Sequence, residues 1–308
     1  MEGRGLILLS NAPREWRWQA EGGTTNFSGI AIEYREVISR LIAIAIFPAA
    51  LVAQWPAYKA ASAPRLPDGE VNMDAPAPKA ADGHPDLSGI WDRGLVRGAP
   101  LPAPANTLGS TPPKGPRPFQ DLPSLFPDGL PLQPWAAELR NQRLAEHSKD
   151  HPDAHCLPIN PVQLHSHPQA RKIIQAPGLV LILYEANDGI RQIFTDGRPL
   201  PSEEADPWWY GYSIGKWEGD TLVVQTTGFR DLGWIDEEGT PITSSGRLTE
   251  RFRRLNYGTL EIEIMVDDPK TFTRPWTFKL NQRLMPDTEL IEFVCLENNT
   301  SLKHLVGK

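Results

Sequence analysis

WWYGYSIGKWEGDTLVVQTTGFRDLGWID, residues Trp208–Asp236, carries the pattern that decides the fold. It reads as two short strands, Tyr210–Trp217 and Thr221–Phe229, joined by the Glu218-Gly219-Asp220 turn. A Gly-containing turn between β-branched and aromatic runs is the local signal of an antiparallel hairpin. Aromatic residues crowd its start, and Trp234 and Asp236 follow its second strand. The segments on both sides repeat this grammar, which places the hairpin in the middle of one sheet.

Upstream, Lys172–Gln175 and Leu179–Ala186 flank Pro177-Gly178, and Asn187-Asp188-Gly189 turns the chain into Ile190–Thr195. Downstream come Leu248–Arg254, a turn at Asn256-Tyr257-Gly258, and Leu260–Val266. Trp276–Leu284 and Leu290–Leu296 form an expected last hairpin around Pro286-Asp287. Leu260, Ile262, Ile264 and Val266 share one face while Glu261 and Glu263 take the other, the two-residue period of a half-buried strand. Short strands in succession, with no helix between them, predict a mainly β fold. The expected form is a single antiparallel meander closing into a barrel or a strongly curled sheet.

The 308 residues, 40% of them hydrophobic, suffice for a sizeable core. A net charge of -7 without a basic stripe argues against a nucleic-acid partner. With 31 prolines, much of the chain must be arm, loop or edge. Arg40 precedes LIAIAIFPAALVA (Leu41–Ala53), an apolar run that suits a signal-peptide core and is short for a membrane span. Ala61-Ser62-Ala63 fits a cleavage site. The expected organisation is a non-native or disordered extension over 1–35, with Val37 as the true initiator, and a signal peptide over 36–63. An uncleaved amphipathic anchor is the alternative. Membrane contact is expected only through this segment, and the mature protein in the periplasm or outside the cell.

A Pro-rich arm over 64–134 has no apolar period and is expected to be extended or polyproline II, dispensable before Pro85. Its exception is a first strand at 87–93, around Leu87-Ser88-Gly89-Ile90-Trp91. The barrel domain spans 135–300 and opens with a lead helix at 135–148, its apolar stripe on Trp135, Leu139 and Leu144. Cys156 lies before the sheet and Cys295 in its last expected strand; in an exported chain this predicts a Cys156–Cys295 disulfide.

From about Pro85 to Glu297 the stretches LSGIW, CLP, IRQIFTDGRPLP, WYGYSIGKWEGDTLVVQTTGF, TERFRR, DDPKTFTRPW and IEFVCLEN resemble a family of exported bacterial β-barrel proteins of uncharacterised function. The Gly-x-Trp start is also similar to lipocalins. The resemblance implies a lipocalin-like barrel and export, and it implies no reaction.

Strand parity selects the candidate chemistry. Glu250 shares a face with Leu248 and Phe252, Glu185 with Leu181 and Leu183, and Arg191 with Ile193. If those faces point inward, Arg191 must pair with Glu185 or Glu250, because a buried unpaired ion is costly. A carboxylate left over would have a raised pKa and could act as acid or base, with Asp236 as a further candidate. A purely structural ion pair is the alternative. Trp208, Trp209, Tyr210, Tyr212, Trp217 and Trp234 could line a barrel mouth for a flat hydrophobic ligand, or serve as ordinary core and girdle packing. His165-Ser166-His167 on an extended segment would aim two imidazoles to one side, a weak metal candidate. The phosphate-loop, G-x-S-x-G, H-E-x-x-H and dinucleotide signatures do not occur. The leading expectation is therefore an exported barrel holding a small hydrophobic or aromatic molecule in its interior, without a cofactor. The alternatives are a cofactor-independent lyase, isomerase or hydrolase, and an envelope assembly protein.

Overall fold

The computed structural model describes residues 59–93, 126 and 129–297. The expected extension, the signal segment up to residue 58, the stretch 94–125 of the arm and everything past 297 lie outside the described residues.

The strands are β1 (Gly89–Asp92), β2 (Arg171–Ala176), β3 (Leu179–Tyr184), β4 (Gly189–Phe194), β5 (Tyr212–Glu218), β6 (Thr221–Thr227), β7 (Gly233–Trp234), β8 (Pro241–Ile242), β9 (Arg247–Asn256), β10 (Thr259–Asp267) and β11 (Trp276–Leu284). β7 and β8 form a small separate ribbon. The others close into a barrel in the order β1-β11-β10-β9-β6-β5-β4-β3-β2. The fold is mainly β and lipocalin-like in form, as expected. Register is set by parity: Leu248, Phe252, Leu260, Ile262, Ile264 and Val266 are all buried inside. Burying each such side chain contributes roughly 1.5–3 kcal/mol.

One junction departs from the expected meander. A ring with an odd number of strands cannot alternate direction all the way round, so two neighbours must run parallel. They are β4 and β5, joined only at Ile193↔Ser213 and Phe194↔Ile214. The chain crosses to that seam through residues 195–211, and between β6 and β9 it inserts the β7–β8 ribbon. The strand expected at Leu290–Leu296 does not form. β1 already occupies the free edge of β11, with Trp91 opposite Leu284, so the ring is closed without it.

Described parts of the arm close the lower end of the barrel with one turn used twice. Pro64–Val71 and Pro78–Pro85 each fold around an Asp-Gly pair, with Gly69 at φ 89° and Gly83 at φ 84°. Leu66 N donates to Glu70 O and Ala80 N to His84 O, both at 2.8 Å. The arm is held at its middle, where Tyr257 N donates to Ala75 O at 2.7 Å and Gly258 N to Met73 O at 2.8 Å. His84 also stacks on Trp217, with ring centroids 4.7 Å apart. The described arm is therefore neither polyproline nor detached. Deleting residues 59–84 is expected to lower stability by about 1–3 kcal/mol, from two lost backbone hydrogen bonds and the uncovered lower end. A truncated protein with the same urea midpoint as the full chain would show the arm to be dispensable.

The upper end is closed by helices. α1 (Pro134–Ala145) begins with proline at its first position, which needs no amide donor, and ends earlier than expected. α2 (Pro161–Ser166) replaces the extended segment expected at His165-Ser166-His167. Pro161 starts α2, and the Asn160 side chain caps it by accepting from Val162 N at 3.0 Å. Every residue of α2 is buried, so the helix plugs the barrel. Cys156, just after a 3-10 turn at Pro152–His155, is bonded to Cys295.

Candidate functional site

Inside the barrel, a polar stripe crosses four consecutive strands. Arg191 on β4 reaches over Ser213 on β5 and Thr226 on β6 to Glu250 on β9. Its Nε donates to Ser213 Oγ at 3.2 Å, Nη2 to Thr226 Oγ1 at 2.9 Å and Nη1 to Glu250 Oε1 at 2.9 Å. Nη2 also bonds Glu250 Oε2, making the pair bidentate. From the plug, His165 Nε2 lies 2.7 Å from Glu250 Oε1. A carboxylate can only accept, so this imidazole carries its proton on Nε2.

Arg191 and His165 are 1% exposed and Glu250 is 0% exposed. Burial pushes the Glu250 carboxyl up, but Arg191 and His165 pull it further down, well below the usual carboxylate range. Burial lowers the imidazole of His165, so it stays neutral. Glu250 is thus a fully partnered carboxylate tied across the parallel seam by Arg191, and among the described residues no second carboxylate joins it there. The sequence pairing of Arg191 with Glu250 is the one found.

Glu185 does not join them. It follows β3 on the other parity, because Val180, Ile182 and Tyr184 are the buried set. Asp236 is buried elsewhere, in the β7–β8 turn. It accepts from Glu238 N at 3.0 Å, Thr240 N at 2.9 Å and Thr240 Oγ1 at 2.5 Å, which organises that turn.

The upper mouth holds a second cluster that sequence reasoning missed. His151 before the 3-10 turn, Gln163 on α2 and Glu237 in the β7–β8 turn meet there. Gln163 Nε2 lies 2.6 Å from Glu237 Oε1 and 2.9 Å from His151 Nε2, and His151 Nε2 lies 3.6 Å from Glu237 Oε2. Trp234 meets the His151 ring edge-on at 5.0 Å, and the Arg143 guanidinium of α1 lies over the Trp234 ring at 4.4 Å. Burial pushes Glu237 up to about 7, although its side chain keeps 37% exposure. Burial lowers His151. Burial thus disfavours the charged form of both groups, and a partly exposed carboxyl raised to about 7 can exchange a proton with a bound molecule.

The aromatic candidates divide between mouth and wall. Trp234 and Tyr210 sit at the upper end, Tyr210 beside Tyr184. Trp209 lies under Arg230. On the outer wall, Tyr212 stacks on Phe194 at 5.3 Å and meets Trp208 at a tilt at 5.2 Å, with Arg198 over Phe194 at 3.8 Å. Beside them, where β5 runs on past the end of β4, a groove of about 430 Å³ is lined by Ile214, Val223, Trp217, Arg198, Lys216 and Gln225 among others. The six aromatics therefore do not ring one mouth: Tyr212 faces outward, while Trp217 pairs with the buried Leu222 and faces inward under His84. His165 and His167 do not face one side of an extended segment either, since α2 ends between them. Burial drives His167 down to about 4. Among the described residues, no three His, Cys, Asp or Glu side chains gather as a metal site.

No known protein family, curated protein or solved structure matches this chain.

Proposed function

We propose that this protein is an exported barrel that binds a small hydrophobic or aromatic molecule, and that the seat is the outer groove at the β4–β5 seam. The carrying observation is the groove itself, about 430 Å³, with the outward-facing Ile214 and Val223 as its apolar wall. That volume suits a small organic molecule, and the few polar groups among apolar ones suit its orientation. The interior is the weaker seat, because α2 and the Arg191–Glu250 network occupy its centre. The Cys156–Cys295 bridge supports export to an oxidising compartment, periplasmic or secreted. Membership of the exported bacterial family that the motifs resemble is part of the same proposal, with no cofactor assigned.

A fluorescent aromatic probe such as anilinonaphthalene sulfonate tests the seat. Val223→Asp is expected to weaken its binding about 3–10-fold, by placing a charge in the apolar wall, while Trp234→Leu leaves it unchanged. Equal affinity in the wild type and the Val223 variant would move the seat elsewhere.

A second reading is favoured by one observation, the partly exposed Glu237 carboxyl near neutrality beside His151. On that reading the mouth performs cofactor-independent acid–base chemistry. Glu237→Gln would then lower the rate on any substrate turned over by about 10²-fold or more.

A further inference from the structure

The mouth cluster contains hydrogen bonds that no single distribution of protons can satisfy. Asp153 N donates to His151 Nδ1 at 3.2 Å, so that nitrogen presents a lone pair. A neutral imidazole must then carry its proton on Nε2. Yet Nε2 faces the Gln163 amide nitrogen at 2.9 Å, which is itself a donor. The same amide nitrogen lies 2.6 Å from Glu237 Oε1, while Gln163 Oε1 is buried without a partner.

A half-turn of the amide about its last side-chain bond exchanges its oxygen and nitrogen without moving other heavy atoms. The turned amide accepts from His151 Nε2–H, and the Asp153 bond is kept. Its oxygen then faces Glu237 Oε1, which must be a hydroxyl, because a carboxylate and a carbonyl oxygen at that distance repel. In the unturned form Glu237 is the ionised acceptor. The amide also donates to His151 Nε2, so the imidazole proton moves to Nδ1 and the Asp153 bond is given up.

We propose that Gln163 couples the protonation of Glu237 to the tautomer of His151, turning its amide between a form that donates to both and a form that accepts from both. One proton is released to solvent when Glu237 ionises. The single imidazole proton changes nitrogen by exchange with solvent, so nothing else is gained or lost. Asp153 and Asp236 on the neighbouring loops, Arg143 on α1 and His167 also face the cluster. The position of Glu237 near 7 sets the crossover close to neutrality, and the depressed His151 keeps its ring neutral through it. In the ionised form the 3-10 turn at Pro152–His155 loses its side-chain cap, and Cys156 follows that turn directly. The coupling is geometric and does not depend on which seat binds a ligand.

Long-range 1H–15N NMR of the histidine-labelled full-length protein reads the tautomer directly. His151 is expected as Nε2–H at about pH 6.5 and as Nδ1–H at about pH 8.5. Glu237→Gln should hold the Nε2–H form at both values, and Gln163→Met should remove the inversion. A wild-type tautomer that does not change between the two values overturns the proposal. An inversion that survives in Gln163→Met assigns the coupling to the direct 3.6 Å approach of Glu237 and overturns the role of the amide. If Gln163→Met does not fold, the half-exposed Glu237→Gln decides alone: inversion persisting there overturns the coupling.

Discussion

Glu250→Gln is expected to lower the unfolding free energy by about 3–5 kcal/mol, although the two side chains are nearly the same size. The change leaves Arg191 as an uncompensated charge inside the barrel and replaces one of the two acceptor oxygens shared by Arg191 and His165 with a donor. Arg191→Met should cost a similar amount from the other side. The double variant should cost much less than the sum, because no ion is then stranded. Urea unfolding of the three variants measures this, and additive losses would show that the pair is not coupled. The same network sets an acid limit. Glu250 is held below its unfolded value near 4.5, so its stabilisation is fully present above that pH and is lost as pH falls towards the folded value. Because Arg191 is bonded to β5, β6 and β9 at once, the seam between β4 and β5 should open first. Amide exchange at Ile193 and Ile214 would report it.

Glu250 and Arg191 were legible because their strands alternate cleanly. In β9 the apolar residues Leu248 and Phe252 fix the inward parity, and Glu250 falls between them. The same reasoning fails for Glu185, since LVLILY is apolar at both parities and does not say which face turns inward. The parallel seam was illegible in principle: strand periodicity carries no direction, and the odd count depends on β1 closing against both β2 and β11. α2 is too short for a helical period, and its proline lies where a helix tolerates one. The His151–Gln163–Glu237 cluster comes from three loops and helix ends far apart in the chain, so no local spacing announces it. The aromatic group misled for a related reason. Tyr210, Tyr212 and Trp217 are near in sequence, but the turn of the chain at Gly211 (φ 67°) and strand alternation send them to different surfaces.

Removing the Cys156–Cys295 bond should have an effect as large as breaking the ion network, by a different route. The two cysteines are 139 residues apart, so in the unfolded chain the bond closes a loop containing the whole sheet from β2 to β11. On the chain-entropy account such a loop contributes about 5 kcal/mol, by restricting the unfolded state. In the folded state the same bond ties the segment after β11 to the turn beside the mouth. That segment contains no strand and exposes Ile291, Val294 and Leu296, so its own packing does little to hold it. Cys156→Ser with Cys295→Ser should therefore lower the melting temperature by roughly 10–20 °C while the barrel spectrum is retained at low temperature. The loss should appear mainly as a shift in the midpoint for the whole barrel, since every strand from β2 to β11 lies within the loop. If reduction instead frees only the last residues, exchange protection in β9 and β10 would be unchanged and the midpoint would move by less than about 2 °C. That result would reduce the bond to a local clip on the tail.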